Sequence, residues 1–478
     1  MENDTIKARR VLEEAHAAWT RMAPVRERRR RYVRYTYGDQ WSDLVKDRSG
    51  KWMQERQQLT VGGREPLSNN LIRRMVKAVV GRYRMNTDAA ADKDGLTTAG
   101  RCLPDINNLD ELDARTLEEF LISGIAVHRV WHERRTQAEG IWVDPVSPDR
   151  FFINAVRDPR VCDTELAGRI TDMSPGEMLM RFARGDRQRA STLRTLYAAI
   201  EGSATPFGCP SGTGTDEDFF HAPPGRCRVI EVWTLECREA LRCHDPLEAT
   251  FALVPVGEEG AIARINASRR RHKLPAISTR WEAVTTWRCR MMAPDGTVLD
   301  EFDSPLKNGS HPFAIKLYPM VDGDVHSLVE DVIDQQRYVN RLITLIDRMM
   351  GTAAKGVLLF PTGCKLEGQK WQEVADIWAD PGGVIPYRPY QGAEPHQVVT
   401  PMADFGARDL LQTQIGLFED VSGVSEALMG KSVSGVVGVE RYESEVRNAS
   451  VAVNDLLKTF ADFTASRNTL MQQFDCKF

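Results

Sequence analysis

The short motif with the most chemical promise is Met429-Gly-Lys-Ser432. A Gly-Lys-Ser run can cradle a nucleotide phosphate on backbone N–H groups. A phosphate loop also needs Gly five residues before Gly430, and that position is Ser425. The segment before it reads as helix rather than strand, so a P-loop ATPase is the weaker alternative. Cys237, Cys243 and His244 could begin a metal site, but no second ligand pair accompanies them. The nine cysteines include no Cys-x-x-Cys pair, so free thiols are expected rather than a disulfide framework or zinc ribbon. There is no Gly-x-Ser-x-Gly elbow and no His-Glu-x-x-His helix. The expectation is no enzyme, no catalytic residue, no metal and no cofactor. One basic run remains, Arg26-Glu-Arg-Arg-Arg-Arg31, followed by Tyr32, Tyr35, Tyr37 and Trp41. It reads as a solvated helix face, or an interface where Arg meets carboxylates, ahead of a phosphate patch.

The elements around these residues belong to an ordinary globular chain. The 478 residues carry 63 Lys+Arg against 67 Asp+Glu, a net charge of −4, so wrapping of nucleic acid is disfavoured and any contact with it should be loose. No apolar run reaches the roughly 18 residues of a membrane helix, and the polar, acidic start is unlike a secretory signal. Residues 5–36 read as one charged helix with Ile6, Val11, Ala15 and Trp19 on a face. Helices follow over 69–81 and 110–122, the first capped by Asn69 or Asn70. A Gly- and Asp-rich loop separates them. Ser174-Pro-Gly-Glu177 is a capping box that opens another helix. Residues 202–226 read as a surface loop. From 227 to 317 the period becomes two, as in an antiparallel sheet, with Ala293-Pro-Asp-Gly296 as a hairpin turn.

The last 150 residues are the most informative. Ser327-Leu-Val-Glu330 is a second capping box. It opens a helix of about 24 residues, some 36 Å long. Leu328, Val332, Gln335, Val339, Leu342, Ile346 and Met349 recur at intervals of four and three, a seam for a neighbouring helix. A small α/β module follows, with a strand near Lys355, a helix carrying Trp371, Val374 and Trp378, and extended segments at Val384-Ile-Pro-Tyr387 and then Gln397-Val-Val-Thr400. A second helix spans 403–421. A Gly/Ser loop with a single cation, Lys431, leads into a last helix over 439–474, with Val453, Leu457, Phe460 and Phe463 on its apolar side.

This order resembles the portal proteins of tailed bacteriophages. The resemblance rests on Tyr37-Gly-Asp-Gln-Trp41, the Asn70-Leu-Ile-Arg73 helix, Asp334-Gln-Gln-Arg337 with Asn340-Arg341, Ala354-Lys-Gly-Val-Leu358, and Val421-Ser-Gly-Val424 before the Gly/Ser loop. It implies an α+β, mainly helical portal fold with little or no crown. The wing would be 1–326, including the β-rich 227–320. The stem helix would be 327–352, the clip 353–402, the second stem helix 403–424 and the tunnel loop 425–438. A long wing helix and short crown would span 439–478. Stem packing would fall to Leu328, Val332, Val339, Leu342, Ile346 and Met349. Adaptor contact at the clip would fall to Trp371, Trp378, Tyr387 and Tyr390. The DNA-facing loop would present Glu426, Gly430, Lys431, Ser432, Ser434, Gly435 and Gly438.

The resemblance further implies a homo-oligomeric ring, a dodecamer, at one capsid vertex. That ring would be the channel for double-stranded DNA packaging and ejection. Its partners would be the major capsid protein, a head-to-tail adaptor, the terminase large subunit and a scaffold, with no membrane. It would be assembled in the host bacterial cytoplasm and carried in the virion. The competing assignment is another ring component of the head, an adaptor or coat. Adaptors are much shorter, and coats are sheet-rich over most of their length.

Overall fold

The structure is a computed structural model describing residues 2–47, 49–60, 65–93, 106–135, 138–202, 218–355, 357–379, 383–398, 406–424 and 451–474. The chain forms two compact units, each discontinuous in sequence. One contains residues 1–32, 79–330 and 452–478; the other contains 33–78 and 331–451. Residues 33–78, inside the span expected as wing, therefore cluster with 331–451.

The charged N-terminal segment is two helices, α1 (Glu2–Arg21) and α2 (Ala23–Tyr37), rather than one. Pro24 lacks an N–H, so the helical ladder cannot run through it. The buried stripe of α1 is Ala8, Leu12, Ala15 and Trp19, while Ile6 is exposed. Helix α3 is Glu55–Leu59. Helix α4 (Leu71–Lys93) continues well past Gly81. A single Gly in a helix costs only about 1 kcal/mol, and Ala89, Ala90 and Ala91 favour continuation where a loop is expected from composition.

In the larger unit, α5 (Leu109–Ser123) ends at Gly124, whose φ of +73° suits the left-handed cap. A Cβ there would lie 2.1 Å from the His326 carbonyl oxygen. With β1 (Leu44–Lys46) and β2 (Trp52–Gln54) in the other unit, the next strand is β3 (Ile125–Arg134). It is central in a three-stranded antiparallel sheet with β4 (Glu139–Pro145) and a later strand, Phe313–Leu317. The second sheet starts with β5 (Phe151–Ile153) and β6 (Leu166–Met173). Ser174 Oγ then accepts from Glu177 N and caps α6 (Pro175–Phe182), and α7 (Arg187–Gly202) follows.

The expected period-two region supplies the rest of this sheet: β7 (Cys227–Asp245), β8 (Thr250–Pro255), β9 (Ser278–Met292) and β10 (Val298–Asp303). The order is β10-β9-β7-β6-β5, with β8 paired to the far end of β7. A helix absent from the sequence reading, α8 (Glu259–Arg271), interrupts it. Strands β11 (Phe313–Leu317), β12 (Met320–Val321) and β13 (Asp324–Val325) complete the unit.

The core of this unit joins α1, the sheets and α6–α7 through Phe151, Phe152, Phe182, Phe219 and Trp233. A carboxylate is buried within it. Glu231 accepts from Arg129 Nε, Arg169 Nε and Trp233 Nε1, each at 2.9 Å. Burial pushes its pKa up, but the two guanidiniums and the indole outweigh this and hold it well below the usual range.

The smaller unit holds the β1–β2 hairpin, α3, and α9 (Leu328–Lys355). It also holds the paired strands β14 (Val357–Leu359) and β15 (His396–Val398), with α10 (Trp371–Ala379) between them, and α11 (Ala407–Ser422). The last helix, α12 (Val451–Gln473), belongs to the larger unit. Residues 439–450 of the expected final helix lie outside the described residues.

Candidate functional site

Helix α9 begins as its capping box predicts: Glu330 N donates to Ser327 Oγ at 3.1 Å. Val332, Val339 and Leu342 of the expected seam are buried, and Leu328, Ile346 and Met349 are half-buried. Gln335 is only half-buried; its neighbour Gln336 is fully buried, with Asn340 and Thr344 on the same stripe. These three polar residues, assigned no role from sequence, organise the unit.

Gln336 Oε1 accepts from Leu71 N at 2.8 Å and Ile72 N at 3.3 Å. Its Nε2 donates to Asn69 O at 2.7 Å. Asn70 Oδ1 accepts from Arg73 N at 2.9 Å. The first three N–H groups of α4, which have no partner within a helix, are thus satisfied, two of them by a side chain 265 residues away. Asn340 Oδ1 accepts from Asn69 N at 3.0 Å, and its Nδ2 donates to Gln40 Oε1 at 2.6 Å. Leu67 N donates to Thr344 Oγ1 at 3.1 Å. Next to this joint, the buried Glu55 carboxylate accepts from Arg337 at 3.2 Å and from Arg341 Nε at 2.9 Å. Arg348 donates to the Leu59 carbonyl. Three of the sequence segments that carry the resemblance, 37–41, 70–73 and 334–341, therefore meet in one polar cluster. The signal was present as polar residues at i and i+4 on an otherwise apolar helix face, but their partners are non-local.

The expected clip residues sit in a module smaller than its sequence suggested. Residues 384–387 form no strand; among the described residues the ladder is β14 with β15, plus an isolated bridge between Tyr390 and Ala393. Pro386 and Pro389 each remove a ladder donor there. Cys364 and Val374 are buried. Cys364 Sγ donates to Ala393 O at 3.1 Å, and Arg388 N donates to Cys364 O at 3.0 Å. Trp371, Tyr387 and Tyr390 are exposed and Trp378 is half-buried. Trp371 meets Phe360 edge-on, centroids 6.0 Å apart, with Lys365 Nζ 5.5 Å from its ring.

On α11, Leu410, Leu417 and Val421 are exposed, while Phe418 is buried. Gly423 (φ +66°) ends it. Glu426, Gly430, Lys431, Ser432, Ser434, Gly435 and Gly438 lie outside the described residues, and so does the whole Met429–Ser432 motif.

Within the basic run, Arg26 and Arg29 are held inside their own chain rather than left on a solvated face. Arg26 is buried, stacks 3.7 Å over Trp19 and donates to the Trp19 carbonyl at 2.7 Å. Burial, with Arg30 beside it, lowers its pKa to about 10. Arg29 forms a two-pronged bond to Glu119 at 2.7 and 2.8 Å and reaches Asp149 at 2.5 Å. Arg29, and Arg30 at 3.7 Å from Asp149, meet carboxylates of their own chain, whereas Arg26 meets a backbone carbonyl.

Helix α12 buries Val453, Phe460 and Phe463. Phe463 packs 4.9 Å from the His128 ring. His128 Nε2 lies 2.7 Å from Thr116 Oγ1, and burial lowers its pKa to about 3. The buried Arg467 pairs with Asp113 on α5. Cys237 and Cys243 are six residues apart on β7, about 20 Å along an extended strand. Among the described residues no group of three or more His, Cys, Asp or Glu side chains could hold a metal ion. No described helix is long and apolar enough to cross a membrane.

Residues 12–445 match the family model described as phage P22-like portal protein. No curated protein matches the chain.

Proposed function

The chain belongs to the family of P22-like phage portal proteins, and from that premise we propose how its segments divide the work of a DNA channel. A portal protein is a structural component at a capsid vertex, and it acts in DNA packaging as a ring assembled with capsid and packaging partners. The match over residues 12–445 carries the assignment.

In the proposed division, 327–352 and 403–424 are the two stem helices and 353–402 is the clip. Residues 425–438 are the tunnel loop, 439–478 the long wing helix and short crown, and 1–326 the wing. The number of copies is twelve. Exposed Leu345 and Met350 on α9, and Leu410, Leu417 and Val421 on α11, support burial of both helices between copies. Exposed Trp371, Tyr387 and Tyr390 support adaptor contact at the clip. The further partners are the major capsid protein, the terminase large subunit and a scaffold, met in the host cytoplasm. The net charge of −4 suits a conduit that must not hold the phosphates it passes. As the one cation of this loop's sequence, Lys431 would meet them, and Gly430, Gly435 and Gly438 would let the loop shift as DNA passes.

The test is native mass measurement and negative-stain imaging of the purified full chain and of assembled heads. Rings with an axial channel are expected. A mass of one chain in both samples overturns the proposal.

A further inference from the structure

Strands β7 and β9 are much longer than the sheet core requires. Their inner halves, Cys227–Thr234 and Trp287–Met292, are buried or nearly so. From Leu235 onward β7 runs on for eleven residues, roughly 35 Å. This extension carries β8 and α8 as a lobe with its own small core of Leu241, Cys243, Val254, Ile262 and Ile277.

Three features of the lobe are unexplained by that core. First, β8 pairs only with β7, so among the described residues its other edge is open. Its sequence, Thr-Phe-Ala-Leu-Val-Pro, carries no charge. Edge strands usually carry a charge that blocks further pairing. Second, the register places Phe251 beside His244 and Leu253 beside Arg242. These belong to the sheet face opposite the α8 core, and Phe251 and Leu253 are 66% and 56% exposed. Third, residues 260–281 contain Arg264, Arg269, Arg270, Arg271, Lys273 and Arg280 but no Asp or Glu. Of these only Arg269 is tied up, by Asp245 at 2.5 and 2.6 Å. The other five are exposed.

We propose that this lobe docks an acidic, extended polypeptide segment, which adds as a strand to the open edge of β8 while its carboxylates face the cations of α8. Strand addition draws affinity from main-chain hydrogen bonds and orientation from side chains. An uncharged edge beside a basic helix end supplies both. Duplex DNA would use the cations alone and leave the edge and its apolar side chains unpaired, so the observations favour polypeptide. The proposal goes beyond ring formation and does not depend on it.

The test uses the full chain and a labelled twelve-residue peptide of alternating Glu and Val. Its Lys/Val counterpart and a 20-base-pair duplex are the controls. Anisotropy should show the acidic peptide binding and the basic one not. Arg270→Glu/Arg271→Glu should weaken binding at least tenfold. Saturating peptide should slow hydrogen exchange at least tenfold at those β8 amides that do not already bond to β7. Protection of α8 without β8, or duplex binding as tight as the peptide, overturns the proposal in favour of a simple polyanion patch. If the peptide does not bind and Phe251→Ser/Leu253→Ser breaks up an otherwise intact ring, the edge belongs to a neighbouring copy and the proposal fails. Ring mass measured on the same samples keeps this result separate from that of the portal assignment.

Discussion

Replacing Gln336 with Leu should loosen the start of α4 more than any surface change in the smaller unit. The substitution keeps a similar volume and helix propensity. It removes the acceptor for Leu71 N and Ile72 N and the donor to Asn69 O. A buried polar group left without a partner costs about 1–3 kcal/mol. Only Ile72 N, bound at 3.3 Å, loses its sole partner; Leu71 N and the Asn69 carbonyl keep each other at 3.0 Å, and Asn340 Oδ1, which also accepts from Gln336 Nε2, keeps Asn69 N. The expected loss is therefore about 1–3 kcal/mol, or roughly five- to 150-fold in the opening equilibrium. Gln336→Glu keeps an acceptor at the positive end of the helix and should cost less. The assay is hydrogen exchange at Leu71 and Ile72, read beside the denaturant midpoint of each unit, because a two-unit chain need not unfold in one step. Equal exchange rates in wild type and Gln336→Leu would refute the idea that this side chain caps α4.

Three further outcomes follow from the same structure and a fourth from the proposed tunnel loop. Arg29→Ala should lower thermal stability by about 1–3 kcal/mol in calorimetry while leaving DNA affinity in a filter-binding assay unchanged, since its guanidinium is committed to Glu119 and Asp149. His128, with a pKa near 3 in the fold against about 6.5 unfolded, adds full stability above pH 6.5. That contribution drains away as pH falls through 3, about 5 kcal/mol in all, so an acid-unfolding series on His128→Gln should show a flatter limb. Gly168→Ala should yield little folded protein, because its Cβ would lie 2.3 Å from both the Glu231 carbonyl oxygen and the Phe152 ring; normal expression and melting would contradict this. Lys431→Glu should slow packaging measured in single-motor experiments, and an unchanged rate removes the proposed phosphate contact.

Local chemistry made much of the fold readable in advance. The capping boxes at Ser174 and Ser327 form as written, because a cap needs only residues three apart. The hairpin turn at Ala293–Gly296 is equally local: Ala293 N bonds to Thr297 O at 2.9 Å, and Gly296 takes a φ of +90°. Residues that can stop a helix mislead in both directions. Gly81 does not end α4, and the helix 5–36 breaks at Met22 because of a proline two residues on. Helix α8 was hidden inside a stretch whose flanks alternate like strands. The pairing of the polar joint was not legible, since the roles of Gln40, Glu55, Gln336 and Asn340 depend on partners about 270 to 300 residues away. Arg29 was equally opaque, because Glu119 and Asp149 lie 90 and 120 residues downstream.

That separation also sets a timetable. A ribosome adding about 5–20 residues per second needs roughly 13–53 s to travel from Leu71 to Gln336. Throughout that interval the amides at the head of α4 and the carboxylate of Glu55 must be served by water or by a chaperone. The nascent smaller unit should therefore stay protease-sensitive until α9 emerges, and a chain truncated before residue 328 should never acquire it.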